Sequence, residues 1–467
     1  MLFSSITFLF YFLPIVIAVY FLIPKRILWA RNLALLAASL IFYSWGEPVY
    51  VFLMIYSACF NWFMAREIER TKDRGGSGRA DLLFTIAVDL SILCFFKYFS
   101  FLMDNINALT GMNISYTALA LPIGISFYTF QAMSYIFDVY RRKVRAQRSL
   151  FKFALYLSFF PQLIAGPIVK YRDIENQLRS RETDLDSFGD GVSRFITGLG
   201  KKVLLANNLG ALQAAVLALP DSNISAASYW IGAFAFTMQI YFDFSGYSDM
   251  AIGLGRMFGF RFSENFDHPY VAESITEFWR KWHISLSSWF REYLYFPLGG
   301  NRVPPARHIL NLVIVWALTG LWHGANWTFV VWGLYYCVVL ILEKYVYGKW
   351  LKKLPAAAAH IYTMLIVSVG WVIFMSDSIK AALAYLKTCF MFSGCPLFDA
   401  STLFFLRTSV VLMLVSVLCS TERPGKALKR LREKTPALWL AILFAIFVLS
   451  TAYLLYSTYN PFLYFRF

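Results

Sequence analysis

Long apolar runs separated by short polar links dominate this chain. Residues 4–23, 30–45, 49–65, 81–103, 117–139, 150–168, 192–219, 227–255, 308–321, 325–347, 360–376, 403–420 and 437–457 each predict a helix. Many of these runs approach the roughly 20 apolar residues that cross a hydrocarbon layer. The pattern therefore predicts an all-α polytopic integral membrane protein with about 11–13 transmembrane helices. Two stretches break it. The 150–168 run carries Pro161, Gly166 and Pro167 and is basic at both ends, which predicts a re-entrant or broken helix shielded by protein or lining a cavity. Residues 264–307 are rich in Trp, Phe and Tyr, yet hold Glu273, Glu277, Arg280, Lys281, His283, Arg291 and Glu292. That mixture predicts short helices, buried in or lying on the protein, that line a partly wet cavity.

Composition agrees. Of 467 residues, 59% are hydrophobic and 15% charged, against about 45–50% and roughly 25% in a soluble domain. A soluble enzyme, a disordered chain and a disulfide-stapled secreted domain are excluded. Met1–Ile23 has neither a charged n-region nor a small-residue cleavage site, so it reads as a first membrane helix and not a removed signal. No repeat, low-complexity linker or soluble domain is evident. One membrane domain is expected over 1–467, with N-terminal helices at 1–149, a core at 150–347, and C-terminal helices and tail at 348–467.

The formal net charge of +16 changes the picture only through its placement. Basic residues cluster in the links at Lys25–Arg31, Arg66–Arg79, Arg141–Arg148 and Arg423–Lys434. The positive-inside bias puts those links in the cytoplasm and leaves the N-terminus and C-terminal tail outside. Their expected partner is the anionic headgroup layer of the lipid bilayer, not nucleic acid. The six cysteines form no framework. Cys59, Cys94, Cys337 and Cys419 sit in apolar runs; Cys389 and Cys395 are close enough in sequence to pair in an oxidising compartment. No spacing suggests a metal.

Candidate chemistry lies at membrane depth. His323 stands in Leu-Thr-Gly-Leu-Trp-His-Gly-Ala-Asn-Trp (318–327), between two apolar runs. Gly320 and Gly324 permit close backbone approach, while Trp322, Asn326 and Trp327 can shape a pocket. Burying an ionisable group is costly without a partner, and imidazole exchanges a proton near neutral pH. His323 is therefore either a general base or a structural histidine bonded across helices. His283 follows Trp279 and Arg280; on one helix Arg280 and His283 would share a face. The cluster fits an anionic or thioester ligand, or an interfacial amphipathic helix. Asp243, Ser245, Tyr247 and Asp249 lie in another apolar run, where they either bind a hydroxyl-rich acceptor or satisfy one another. Six residues of separation argue against a carboxylate dyad. His268, His308 and His360 border polar links, which predicts surface roles.

Together these motifs resemble the membrane-bound O-acyltransferase (MBOAT) family. Trp-His-Gly at 322–324 follows Trp-Arg-Lys-Trp-His at 279–283 by about forty residues. Pro122–Gln131, Phe159–Pro167, Phe242–Asp249, Trp279–Gly300 and Tyr459–Phe467 further resemble the membrane subunits of bacterial alginate O-acetyltransferases. Lys281 stands where many relatives carry a second Arg. The resemblance implies short buried helices around a central funnel, with His323 catalytic and His283 assisting. It also implies no bound cofactor, acetyl-CoA or another acyl thioester as donor, and a periplasmic or extracellular acetyltransferase as partner. The location it implies is the bacterial cytoplasmic membrane. Tyr464 resembles a short motif of the teichoic-acid D-alanylation machinery; it is either an acyl relay or part of a packed tail. Two rival classes remain open, a transporter or flippase for an envelope precursor and a non-catalytic scaffold of an exopolysaccharide-modifying complex.

Overall fold

A computed structural model describes residues 1–164, 166–220, 224–456 and 463. Among them the chain is helical, with no strand. Five helices are long and apolar enough to cross a bilayer: Arg79–Thr110, Trp327–Leu351, Ala356–Met375, Ala400–Cys419 and Pro436–Tyr456. The other predicted runs fold as shorter, bent or polar-bearing helices. Helices also form where the sequence read as links, among them Tyr171–Arg179, Ile379–Cys389 and the basic, largely exposed Arg423–Lys434. The six cysteines are free thiols, Cys389 and Cys395 included.

The chain divides into two compact units. The first comprises Met1–Phe195 and Ser248–Ser263. In it Val51–Asp73 packs on Ile125–Tyr140, and Leu28–Ser44 on Leu150–Ser158. Gly124 starts the Ile125–Tyr140 helix with a φ of +77°, and a Cβ there would stand 2.8 Å from the Leu163 carbonyl oxygen. This explains the helix-breaking residues of the Pro122–Gln131 block. The predicted break in 150–168 is present: Leu150–Ser158 ends, Phe159 turns the backbone, and Phe160–Leu163 resumes. Arg194 Nη2 holds Asp249 Oδ1 at 2.8 Å. Asp249 is thus an ion-pair partner within this unit.

The second unit comprises Ile196–Tyr247 and Glu264–Phe467. Its centre is the hairpin of Pro305–His323 and Trp327–Leu342. Lipid-embedded helices associate by close packing, not by expelling apolar surface from water, so small residues belong at their contacts. A Cβ at Gly320 would meet the Phe329 carbonyl oxygen at 2.3 Å, and one at Gly333 the Trp316 carbonyl oxygen at 2.3 Å. The close backbone approach predicted at Gly320 is therefore real, while at Gly324 the close neighbour is the Phe329 ring, 2.2 Å from where a Cβ would stand. Asn326 caps the second helix: its Oδ1 accepts from Thr328 N at 3.0 Å, and its Nδ2 donates to the Asp377 carbonyl at 3.0 Å. The 264–307 stretch folds into short helices, Ile275–Lys281, Ile284–Phe290 and Arg291–Tyr295.

Candidate active site

His323 is the last residue of Pro305–His323 and is buried among rings. Its centroid lies 5.1 Å from Trp322, 5.0 Å from Trp332 and 5.5 Å from Phe374, each ring edge-on. His323 thus stands at the carbonyl end of its helix, where the macrodipole favours positive charge.

His283 sits between Ile275–Lys281 and Ile284–Phe290, with φ +45° and ψ 55°. The helix stops at Lys281, which corrects the expectation that Arg280 and His283 share one helix face. Left-handed backbone is rare for a residue with a Cβ and persists only where its surroundings enforce it. Asn265 is the enforcing residue. Its Oδ1 lies 3.0 Å from His283 Nδ1 and accepts Ser285 N at 3.2 Å and Ser285 Oγ at 2.8 Å, while its carbonyl accepts Ile284 N at 2.9 Å. Because a backbone N–H points at that side-chain atom, the atom is the amide oxygen, and His283 Nδ1 carries the proton. Burial pushes the His283 imidazole well below its usual range, aided by the neighbouring His323. His283 lies outside the five helices long and apolar enough to span a bilayer. Asn265 escaped the sequence reading.

Trp322 connects the two imidazoles, 6.1 Å from the His283 ring and 5.1 Å from that of His323. Both histidines line a cavity of about 230 Å³ together with Trp279, Arg280, Arg291 and Trp316. Trp279 is held there by Trp316 at 4.9 Å and Tyr336 at 4.8 Å. A larger cavity of about 720 Å³ shares Thr276, Arg280, Tyr295 and Leu312 with the first, and carries Lys344, Lys349 and Lys352. Glu343 braces its wall by accepting from Ile275 N at 2.7 Å and Thr276 N at 2.9 Å.

His323 also borders a second, small void lined by Asp243, Phe244, Trp282, Trp371, Phe374 and Leu463. Asp243 Oδ1 pairs with Lys202 Nζ at 2.5 Å, and its Oδ2 accepts Leu463 N at 2.8 Å. Ser245 and Tyr247 are buried but line neither cavity that reaches His323. His308, expected at the surface, is buried; its ring meets Tyr295 Oη at 2.9 Å and Tyr345 Oη at 2.8 Å, and it lines the larger cavity. His268 and His360 are half-buried. Tyr464 lies outside the described residues.

Paired buried histidines in an aromatic, partly cationic cavity suit acyl transfer, and comparison with known proteins agrees. The profile of the membrane-bound O-acyltransferase family matches residues 79–386. The chain belongs to that family; it is an acyltransferase enzyme built of membrane helices. It is 44% identical over 403 residues to the probable alginate O-acetylase AlgI of Azotobacter vinelandii, covering 85% of this chain and 80% of that protein. With the probable alginate O-acetylase AlgI of Pseudomonas putida it is 39% identical over the whole of both chains. With the peptidoglycan O-acetyltransferase of Helicobacter pylori it is 34% identical, covering 83% of this chain and 79% of that one.

Proposed function

We propose that this enzyme takes an acetyl group from a cytoplasmic thioester donor, acetyl-CoA, and passes it across the bacterial cytoplasmic membrane for O-acetylation of an extracytoplasmic polysaccharide. The observation that carries this reading is His323, which borders two cavities. The cavity of about 230 Å³ shares Arg280 with the larger one that carries Lys344, Lys349 and Lys352, cations that suit the phosphates of the donor. Lys344, Lys349 and Lys352 are exposed and form the mouth of that larger cavity. By the positive-inside bias that mouth is cytoplasmic, and the Leu463 side extracytoplasmic.

In the chemical step His323 removes the proton of the attacking hydroxyl, whose oxygen bonds to the thioester carbonyl carbon. As the tetrahedral intermediate collapses, the C–S bond breaks and the imidazolium returns the proton to the thiolate. Arg280 supports the developing oxyanion or orients the donor, while His283 is held neutral beside it. Trp279, Trp316 and Trp322 keep water from the thioester. An extracytoplasmic acetyltransferase completes delivery to the polymer. A relay through the Tyr464 hydroxyl is a second route, and undiminished polymer acetylation by Tyr464→Phe removes it.

The test uses purified protein with radiolabelled acetyl-CoA. Thioester turnover that disappears in a folded His323→Ala variant supports the enzyme, whereas uptake without turnover supports a transporter. Unchanged cell-surface acetylation by that variant supports a scaffold.

A further inference from the structure

Two guanidinium groups meet inside the first unit. Arg31 is 4% exposed and stands in the first turn of Leu28–Ser44. That end of a helix is the positive end of its dipole, where an anion is favoured and a cation is not. Arg31 Nε donates to the Ile23 carbonyl at 2.9 Å, and Nη1 donates to Thr183 Oγ1 at 3.3 Å. Arg181, just past the Tyr171–Arg179 helix, comes to the same place. Its Nε donates to the Phe258 carbonyl at 3.0 Å and to Tyr20 Oη at 3.1 Å. Its Nη1 donates to Asn32 Oδ1 at 2.6 Å and to the Gln177 carbonyl at 3.2 Å. Tyr20 joins the two cations, with its ring centroid 4.7 Å from Arg31 Cζ and 5.7 Å from Arg181 Cζ.

Every one of those acceptors is neutral. Among the described residues no carboxylate pairs with either guanidinium: Ser187 holds Asp184 through its N at 2.6 Å and its Oγ at 3.2 Å, and Glu182 is exposed. Each fork also keeps a donor in hand. Arg181 Nη2 is buried with no acceptor, and Arg31 Nη2 makes no hydrogen bond among the described residues. Burial, and then the neighbouring charge of Arg31, disfavour the charged form of Arg181, with Tyr20 offsetting part of the effect. Two like charges held together with unused donors call for a shared anion, and the guanidinium fork matches phosphate. The surroundings say where that phosphate comes from. Leu22, Lys25, Arg26 and Trp29 are all exposed beside the pair, and exposed Trp next to basic residues suits headgroup depth.

We propose that Arg31 and Arg181 form a defined site for one phosphate group, that of an anionic glycerophospholipid in the cytoplasmic leaflet. This differs from the diffuse attraction between basic links and headgroups: the Arg423–Lys434 helix carries charge but no buried residue. The site belongs to the first unit and stands apart from the acyl-transfer chemistry.

Full-length protein, delipidated in detergent, is titrated with dioleoylphosphatidylglycerol and followed by native mass spectrometry. One lipid should bind tightly ahead of a weaker series. Dioleoylphosphatidylcholine, whose phosphate carries its own compensating cation, should give the weaker series alone. Arg181→Gln should weaken the tight lipid at least about tenfold, as expected for losing a hydrogen bond to a charged group. Arg181→Lys, which keeps the charge without the fork, should recover part of that loss. Lys429→Gln with Arg430→Gln should thin the weaker series and leave the tight lipid in place. Thermal unfolding reports whether each variant is folded; if Arg181→Gln is not, Arg31→Lys and the parent titration decide. Inorganic phosphate and acetyl-CoA should fail to displace the tight lipid, and displacement by either overturns the lipid assignment in favour of a soluble phosphate. A parent that takes no tight lipid, equal binding of the two lipids, or a folded Arg181→Gln that keeps the tight lipid overturns the site. None of these outcomes depends on thioester turnover.

Discussion

The Oδ1 of Asn265 accepts the proton on Nδ1 of His283 at 3.0 Å and holds Ser285 N with the same oxygen. One amide thus sets both the tautomer of the ring and the left-handed turn that carries it. Replacing Asn265 by Ala removes the acceptor shared by three buried donors, His283 Nδ1, Ser285 N and Ser285 Oγ, at about 1–3 kcal/mol. We expect thioester turnover to fall roughly 5- to 150-fold. Asn265→Asp, which keeps an acceptor oxygen, should recover part of the rate. Steady-state release of free thiol measures both, and full activity of Asn265→Ala would deny the positioning role.

Donor capture should separate from chemistry. Lys344, Lys349 and Lys352 line the larger cavity but not the smaller one at His323. Changing all three to Gln should raise the KM for acetyl-CoA roughly tenfold, leave kcat unaltered, and flatten the dependence of KM on salt. A fall in kcat with unchanged KM would place these lysines in some other role.

Stability offers a sharp contrast between two glycines. Gly320→Ala drives a methyl into the Phe329 carbonyl, whereas a Cβ at Gly189 meets nothing within 4 Å. The first should lower the unfolding temperature in detergent, at a cost of at least about 1–3 kcal/mol. The second should hold or raise it, since Ala favours helix by up to about 1 kcal/mol. Equal midpoints would mean that the hairpin contact is looser than described.

Much of this architecture was legible because a bilayer restricts what a sequence can do. Apolar runs located the helices, Pro161 and its neighbours located a break, and His323 stood out as an ionisable group at depth. Three features were not legible, each for a physical reason. Asn265 is 18 residues from His283 and carries no charge, so only the fold brings it to the ring. The positive φ of His283 is imposed by tertiary contacts against the intrinsic preference of the residue. His308 borders a polar link, yet Tyr295 and Tyr345 bury it. Lys202 is a different case. A lysine within the 192–219 run was a visible signal of function, and its partner Asp243 was the residue singled out instead.

The central claim is that His323 moves the proton in acyl transfer. The most direct measurement is the rate of free-thiol release from acetyl-CoA by purified His323→Ala beside the parent protein, with thermal unfolding recorded for both. A general base contributes about 10²- to 10⁴-fold, so turnover should drop by that factor while the unfolding midpoint stays near that of the parent. A folded His323→Ala enzyme that releases thiol at the parental rate would contradict the account.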